Sequence, residues 1–124
     1  MEKLPKINII YEDNHLLVVE KPVNIPVQED ISQDIDMITL LKKYRIKKEN
    51  KKGDAYIGLV HRLDRPVGGI MVFAKTSKAA SRLSEEIRNN TFHKTYLAVI
   101  QGTMPKKGKL EDYLIKDNNK NISY

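Results

Sequence analysis

Two apolar, β-branched runs, Ile7 to Glu12 and Leu16 to Glu20, flank the pair Asp13-Asn14. Strand formers on either side of residues that tolerate left-handed backbone predict a β-hairpin with a tight turn. Pro22 removes a ladder donor and Asn24 accepts positive φ, so Lys21-Pro22-Val23-Asn24 should end the second strand. Residues 26–35 follow no period and read as an irregular loop. From Asp36 the spacing predicts an amphipathic helix, with Ile38, Leu41 and Ile46 on one side and Lys42, Lys43, Arg45 and Lys47 largely on another. It runs into a charged loop, Lys47 to Asp54.

Ile57 to Val60 reads as a short strand, and Pro66-Val67-Gly68-Gly69 as a turn feeding Ile70 to Lys75. That last segment is apolar at consecutive positions, the pattern of a central strand buried on both faces. Thr76 or Ser77 can cap a helix whose Ala80, Leu83, Ser84 and Ile87 share a face and which closes on Arg88-Asn89-Asn90. Lys94 to Ile100 predicts a further strand, closed by Gln101-Gly102. Lys109 to Ile115 predicts another, before the turn-forming run Asp117 to Asn121. Irregular alternation after an opening hairpin predicts an α+β domain, with a mixed, largely antiparallel sheet and two helices, rather than a doubly wound fold. No internal repeat or low-complexity tract breaks the chain, so residues 1–124 read as a single domain. The chain stops after a turn signal, as if a further strand were due.

Composition narrows the function. Of 124 residues 40% are hydrophobic and 31% charged, as in a globular domain, and the net charge is +6. Such a surplus attracts polyanions through Coulomb steering and counterion release. The lysine count alone says little, because compositional bias would produce it with no ligand. Arginine placement says more: four of the five, Arg62, Arg65, Arg82 and Arg88, fall within 27 residues, and guanidinium suits phosphate forks and base stacking. The Lys42-to-Lys52 cluster reads either as an extension of a basic track or as a solvated helix end. With no cysteine, disulfides and thiolate chemistry are excluded, and three His residues without ligand spacing give no metal site. The longest apolar run, Ile70 to Ala74, is far too short for a membrane span, and the N-terminus has no targeting pattern. These features place the protein in the cytoplasm, with no membrane span and no cysteine- or histidine-based metal site.

Candidate chemistry centres on His61-Arg62-Leu63-Asp64-Arg65, where one carboxylate sits among cationic or potentially cationic neighbours between two strands. Neighbouring guanidinium groups would hold Asp64 ionised, and an ionised carboxylate serves as nucleophile or base. From pattern alone Asp64 could equally be a turn residue accepting backbone hydrogen bonds before Pro66.

His61-Arg62-Leu63-Asp64, followed by a turn with Gly69 and by Ile70 to Thr76, resembles the central motif of RluA-type RNA pseudouridine synthases. The flanking pieces come in that family's order. They are Tyr11-Glu12-Asp13, Leu17 to Pro22, the Ala79-to-Ile87 helix, and Lys94-Thr95-Tyr96-Leu97-Ala98-Val99-Ile100-Gln101-Gly102, so the likeness spans roughly residues 7–116. The resemblance implies a pseudouridine synthase-like fold and the isomerisation of uridine to pseudouridine in structured rRNA or tRNA, by a monomer if the domain is complete. It implies that Asp64 is the catalytic aspartate and that Tyr96 lies against the target base. By the same likeness Arg62 enters the RNA, and His61 orders the loop. Lys21, at the strand end before Pro22, and Lys94 are candidate phosphate contacts that could equally be solvated surface cations, and Arg65, beside Asp64, is a further candidate substrate contact.

The chain departs from the family pattern in three places. Val67-Gly68-Gly69 replaces the usual Thr-Ser-Gly, and Lys21-Pro22-Val23-Asn24 replaces a Lys-Pro-Ala-Gly turn. Nothing in residues 103–124 matches the family's later motif rich in Arg, His and Gln, which implies the N-terminal portion of a catalytic domain. Two other classes fit the same residues: a noncatalytic RNA-binding remnant, and a carboxylate-dependent hydrolase of a nucleoside or sugar. The hydrolase reading lacks the second, paired acid that such chemistry uses.

Overall fold

A computed structural model describes residues 3–124. The chain divides into two compact units where the sequence suggested one domain: the first runs through Lys94, and the second is Thr95–Tyr124.

The first unit is built on a four-stranded sheet. Its strands are β1 (Asn8–Glu12), β2 (Leu16–Lys21), β3 (Gly58–Leu59) and β4 (Gly69–Ala74), ordered β1-β2-β4-β3 with every neighbour antiparallel. The hairpin forms where expected, but through a different turn. Neither Asp13 nor Asn14 takes positive φ. Instead Asp13 Oδ1 accepts the amides of His15 and Leu16, each at 2.7 Å, and the side chain replaces a backbone turn.

A period of two then sorts β2. Leu17 and Val19 point into the core, and their partners on β4, Phe73 and Met71, are equally buried. Helix α1 (Met37–Lys48) covers this face with Met37 and Leu41, and Val27 and Ile57 complete the cluster. Helix α2 (Ser77–Arg88) lies along β3 and β4, with Ala79 buried. Here β4 departs from the double-sided burial its composition suggested: it is central in the ladder, yet Ile70 is 65% exposed.

Both helices carry the expected signals. Asp36 caps α1 by accepting the Thr39 amide, and Thr76 caps α2 by accepting that of Ala79. Each ends on an asparagine in the left-handed region, Asn50 at φ 50° and Asn90 at φ 56°. The next amides, of Lys51 and Thr91, reach back to the carbonyls of Ile46 and Glu86, so both ends close as Schellman motifs.

Arg45, expected on the charged side of α1, is buried. Its guanidinium grips Glu49 with two bonds of 3.0 and 3.1 Å and donates to the carbonyls of Tyr56 and Lys75. Beside it Lys75, also buried, donates to Glu12 Oε2 at 2.7 Å and to the Asp13 carbonyl. The same carboxylate accepts from Lys48 and from the Tyr44 hydroxyl, each at 2.6 Å. Burial pushes Glu12 up, but these three donors outweigh it and bring its pKa down to about 2. One carboxylate thus ties the end of β1 to α1 and to the end of β4.

The second unit holds one small hairpin, β5 (Lys116–Asp117) with β6 (Ile122–Ser123), turning through Asn121 at φ 54°. The strands expected at Lys94 to Ile100 and at Lys109 to Ile115 are not formed. Extended backbone becomes a strand only when a neighbour takes its N–H and C=O groups. In these two stretches, among the described residues, this happens only at Ile115, which exchanges both bonds with Tyr124 beside the small hairpin; no strand pairs with the rest of either stretch.

Candidate active site

Lys21 continues the alternation of Leu17 and Val19, so its side chain enters the fold at the sheet's end, with only 1% exposed. Its ammonium donates to three carbonyl oxygens: Val67 at 2.7 Å, Arg65 at 2.9 Å and Pro22 at 3.0 Å. All three N–H bonds are therefore used, and the phosphate contact expected of Lys21 gives way to a bracing role. Burial lowers its pKa, Arg65 adds to this, and the Asp64 charge opposes it.

That brace fixes the loop after β3. The amide of Asn24, at φ 66°, donates to the Arg65 carbonyl at 2.8 Å, and the amide of Val67 donates to that of Asp64 at 2.9 Å. Gly68 lies so close to the β2 turn that a Cβ would stand 3.2 Å from the Lys21 carbonyl oxygen. The departure from Thr-Ser-Gly thus has a steric side: the middle position here has almost no room for a side chain.

Within the loop, burial alternates. His61 and Leu63 turn inward, and Leu63 packs against the core cluster. Arg62 and Asp64 are exposed, and both line an open groove of about 350 Å³ whose other wall is Pro26 to Asp30. Neither side chain has a hydrogen-bond or ion-pair partner among the described residues, so both are available to a ligand.

His61 is held from behind. Its Nε2 accepts the Val72 amide at 3.1 Å, its ring lies 5.6 Å from that of Phe92, and Nδ1 is buried without a partner. Burial, assisted by the charge of Lys94, lowers its pKa and keeps the imidazole neutral as an acceptor. This arrangement fits the loop-ordering role read from sequence: one ring nitrogen is taken by the Val72 amide and the other is buried. Lys94 is exposed, with its ammonium 5.9 Å from the Phe92 ring centroid.

Arg65 turns away from Asp64. Its Nε donates to the Asn24 carbonyl at 3.1 Å, its Nη1 to Ser32 Oγ at 3.1 Å, and its Nη2 to Asp34, with Asp30 3.8 Å away. The Ser32 hydroxyl and amide hold Asp30 below the usual carboxylate range, and Arg65 adds to this. The cluster of guanidinium groups expected around Asp64 is thus split: Arg65 belongs to the 30–34 loop. Tyr96 lies in the second unit, 60% exposed on the unpaired stretch.

A family model described as RNA pseudouridylate synthase matches residues 15–124. The chain belongs to that family. Among relatives of this pseudouridylate synthase family, a protein of Mycoplasma genitalium named an uncharacterized RNA pseudouridine synthase is 35% identical over 120 residues, which cover 94% of this chain and 37% of that protein. The ribosomal large subunit pseudouridine synthase C of Buchnera aphidicola is 32% identical, covering 92% and 35%. The tRNA pseudouridine synthase C of Haemophilus ducreyi is 28% identical, covering 90% and 43%. A solved structure, human RNA pseudouridylate synthase domain containing 4, superposes with a TM-score of 0.58 at 26% identity, covering 68% of this chain and 30% of that one. The chain therefore spans about a third of the length of such relatives, and the RluA-type resemblance and the fold class expected from sequence are borne out.

Among the described residues no helix is long and apolar enough to cross a membrane, and no cluster of three or more His, Asp or Glu could hold a metal ion. Sequence reasoning missed the braces behind the loop. Period two along Leu17, Val19 and Lys21 signalled one of them; the Asp30-x-Ser32-x-Asp34 spacing, which folds back on itself through the Ser32 amide and hydroxyl, signalled the other.

Proposed function

We propose that this chain carries the isomerisation of uridine to pseudouridine in structured rRNA or tRNA, with Asp64 as the catalytic carboxylate. The observation that supports it best is the setting of Asp64: an exposed carboxylate beside Arg62 on a loop braced by Lys21, at the motif that the family match includes. In the reaction the C1′–N1 bond breaks, the uracil turns while bound, C5 bonds to C1′, and the C5 proton leaves as N1 gains one. Atoms and electrons balance within the substrate, so the chemistry needs no cofactor. A carboxylate can stabilise or trap the oxocarbenium-like sugar, or take a sugar proton to give a glycal.

Uridine must leave its stack to reach the groove, and the unpartnered guanidinium of Arg62 is suited to enter the RNA in its place. Tyr96 offers a flat apolar face with a polar tip for the base, and Lys94 an ammonium for phosphate. The names of the relatives favour rRNA and tRNA as substrates. We place the enzyme in the cytoplasm, acting as a monomer.

The test is incubation with total RNA followed by pseudouridine mapping of wild type and Asp64→Ala. Product that disappears in the variant supports catalysis. Retained RNA with no product in either protein overturns it in favour of RNA binding alone, and release of free uracil overturns it in favour of a hydrolase.

A further inference from the structure

The geometry points to Arg65 as a positioning residue that holds the 28–34 turn in place, and with it the outer part of the far wall of the Asp64 groove. This deepens, and rests on, the reading of Asp64 as the catalytic carboxylate.

Two sets of contacts meet at this residue and divide the work. Its carbonyl oxygen accepts from Lys21 Nζ at 2.9 Å and from the Asn24 amide at 2.8 Å, which fixes the backbone one residue beyond Asp64. The Arg65 side chain adds one bond to that fixation, from Nε to the Asn24 carbonyl. The rest of it spans outward, to the Ser32 hydroxyl and the carboxylates of Asp34 and Asp30. Residues 26–35 contain no helix or strand. Their internal bonds are short-range: the Asp30 carboxylate accepts the Ser32 amide, the Asp30 carbonyl accepts the Gln33 amide, and Ser32 Oγ accepts the Asp34 amide. The start of the segment is anchored separately: the Pro26 and Val27 carbonyls accept the Met37 and Ile38 amides, and Val27 lies in the core. The 28–34 turn beyond it keeps its own shape without fixing where it stands, and the guanidinium supplies its tie to the catalytic loop. The wall of the groove opposite Arg62 and Asp64, Pro26 to Asp30, belongs to the same segment.

The chemistry of the tie is specific to arginine. Asn24, Ser32 and Asp34 are met by Nε, Nη1 and Nη2, three separate atoms of one planar group, whereas an ammonium donates from a single atom and cannot span acceptors spread this way. The tie is also poor as a source of global stability, because Arg65, Asp30 and Asp34 are 38%, 40% and 57% exposed, and exposed pairs contribute little. Its effect is on the placement of the wall. Misplacement of a groove wall by an ångström is felt in turnover more than in the binding of a long RNA, which many other contacts share.

The experiment compares wild type, Arg65→Ala, Arg65→Lys, Asp34→Ala and the double variant Arg65→Ala/Asp34→Ala, by amide hydrogen exchange and by pseudouridine formation on the RNA mapped above. Both Arg65 variants should raise exchange at Ser32, Gln33 and Asp34 about tenfold and leave β2 and β4 unchanged. They should lower kcat about ten- to a hundredfold while KM for RNA changes less than about threefold. The double variant should be no worse than Arg65→Ala alone. Unchanged loop exchange overturns the proposal, and so does a rise in KM alone that Arg65→Lys restores, which would make Arg65 a phosphate contact. If wild type forms no pseudouridine the reading of catalysis fails, while the exchange data still decide whether Arg65 holds the loop.

Discussion

The Lys21 ammonium stands 2.7 Å from the carbonyl oxygen of Val67, across 46 residues of chain. A lysine at the end of a core-facing strand row has been turned into the post on which the Asp64 loop rests. Lys21→Met keeps the length of the side chain and removes its donors, leaving the Pro22 and Val67 carbonyl oxygens without their ammonium partner and that of Arg65 with the Asn24 amide alone. We expect a loss of about 2–3 kcal/mol in urea unfolding, together with faster amide exchange at Val67. Unchanged stability would show that the three bonds carry no weight.

Glu12 makes the fold sensitive to acid. Its pKa is depressed in the folded state, so the stability it supplies is present above the ordinary value of 4.5 and is lost as pH falls through about 2. Unfolding free energy should decline steeply across that window. Glu12→Ala should flatten the decline and cost about 3 kcal/mol at neutral pH, because buried Lys75 loses its close carboxylate and keeps only the Asp13 carbonyl and Glu49 at 3.7 Å. Chemical denaturation of both proteins over a pH series checks this.

His61 acts in a higher window with the same sign. Its pKa is lowered, so the unfolded chain takes up the proton first as pH falls, and the stabilising effect of the neutral ring is present above the ordinary value of 6.5 and wanes below it. Protonation would also place a donor at Nε2, against the Val72 amide. His61→Gln should remove the part of the pH dependence that begins near 6.5 and leave the Glu12 part. Titration of the imidazole by NMR in the wild type should show a midpoint below the ordinary histidine value.

Gly68 tests how tightly the loop is seated. A Cβ there meets the Lys21 carbonyl oxygen and Val23 Cγ1, each at 3.2 Å, and a backbone oxygen in a sheet cannot retreat. Gly68→Ala should cost about 1–2 kcal/mol and reduce pseudouridine formation, whereas alanine at Gly53, which meets no atom within 4 Å but has φ of 93°, should cost backbone strain alone and spare activity.

Local signals in the sequence were decisive where structure is local. The hairpin, the Asp36 and Thr76 caps, the positive φ of Asn24 and the asparagine helix ends all follow from residue chemistry over a few positions. What the sequence concealed was contact at a distance. Lys94 to Ile100 has strong strand composition, but pairing needs a partner that composition does not name. Arg45 and Lys21 are cations at positions of core periodicity, and only the acceptors brought by Glu49, Tyr56 and the Asp64 loop make their burial tolerable. Arg65 is next to Asp64 in the chain, yet consecutive side chains diverge, and its guanidinium answers to Asp34.

The unpaired stretch from Tyr96 to Ile100 has a practical consequence. It presents Leu97 and Val99 fully to water on a backbone without ladder partners, the combination from which intermolecular cross-β contacts nucleate. At high concentration copies of this chain should stick to one another through that segment, and a charge introduced at Val99 should keep them dispersed.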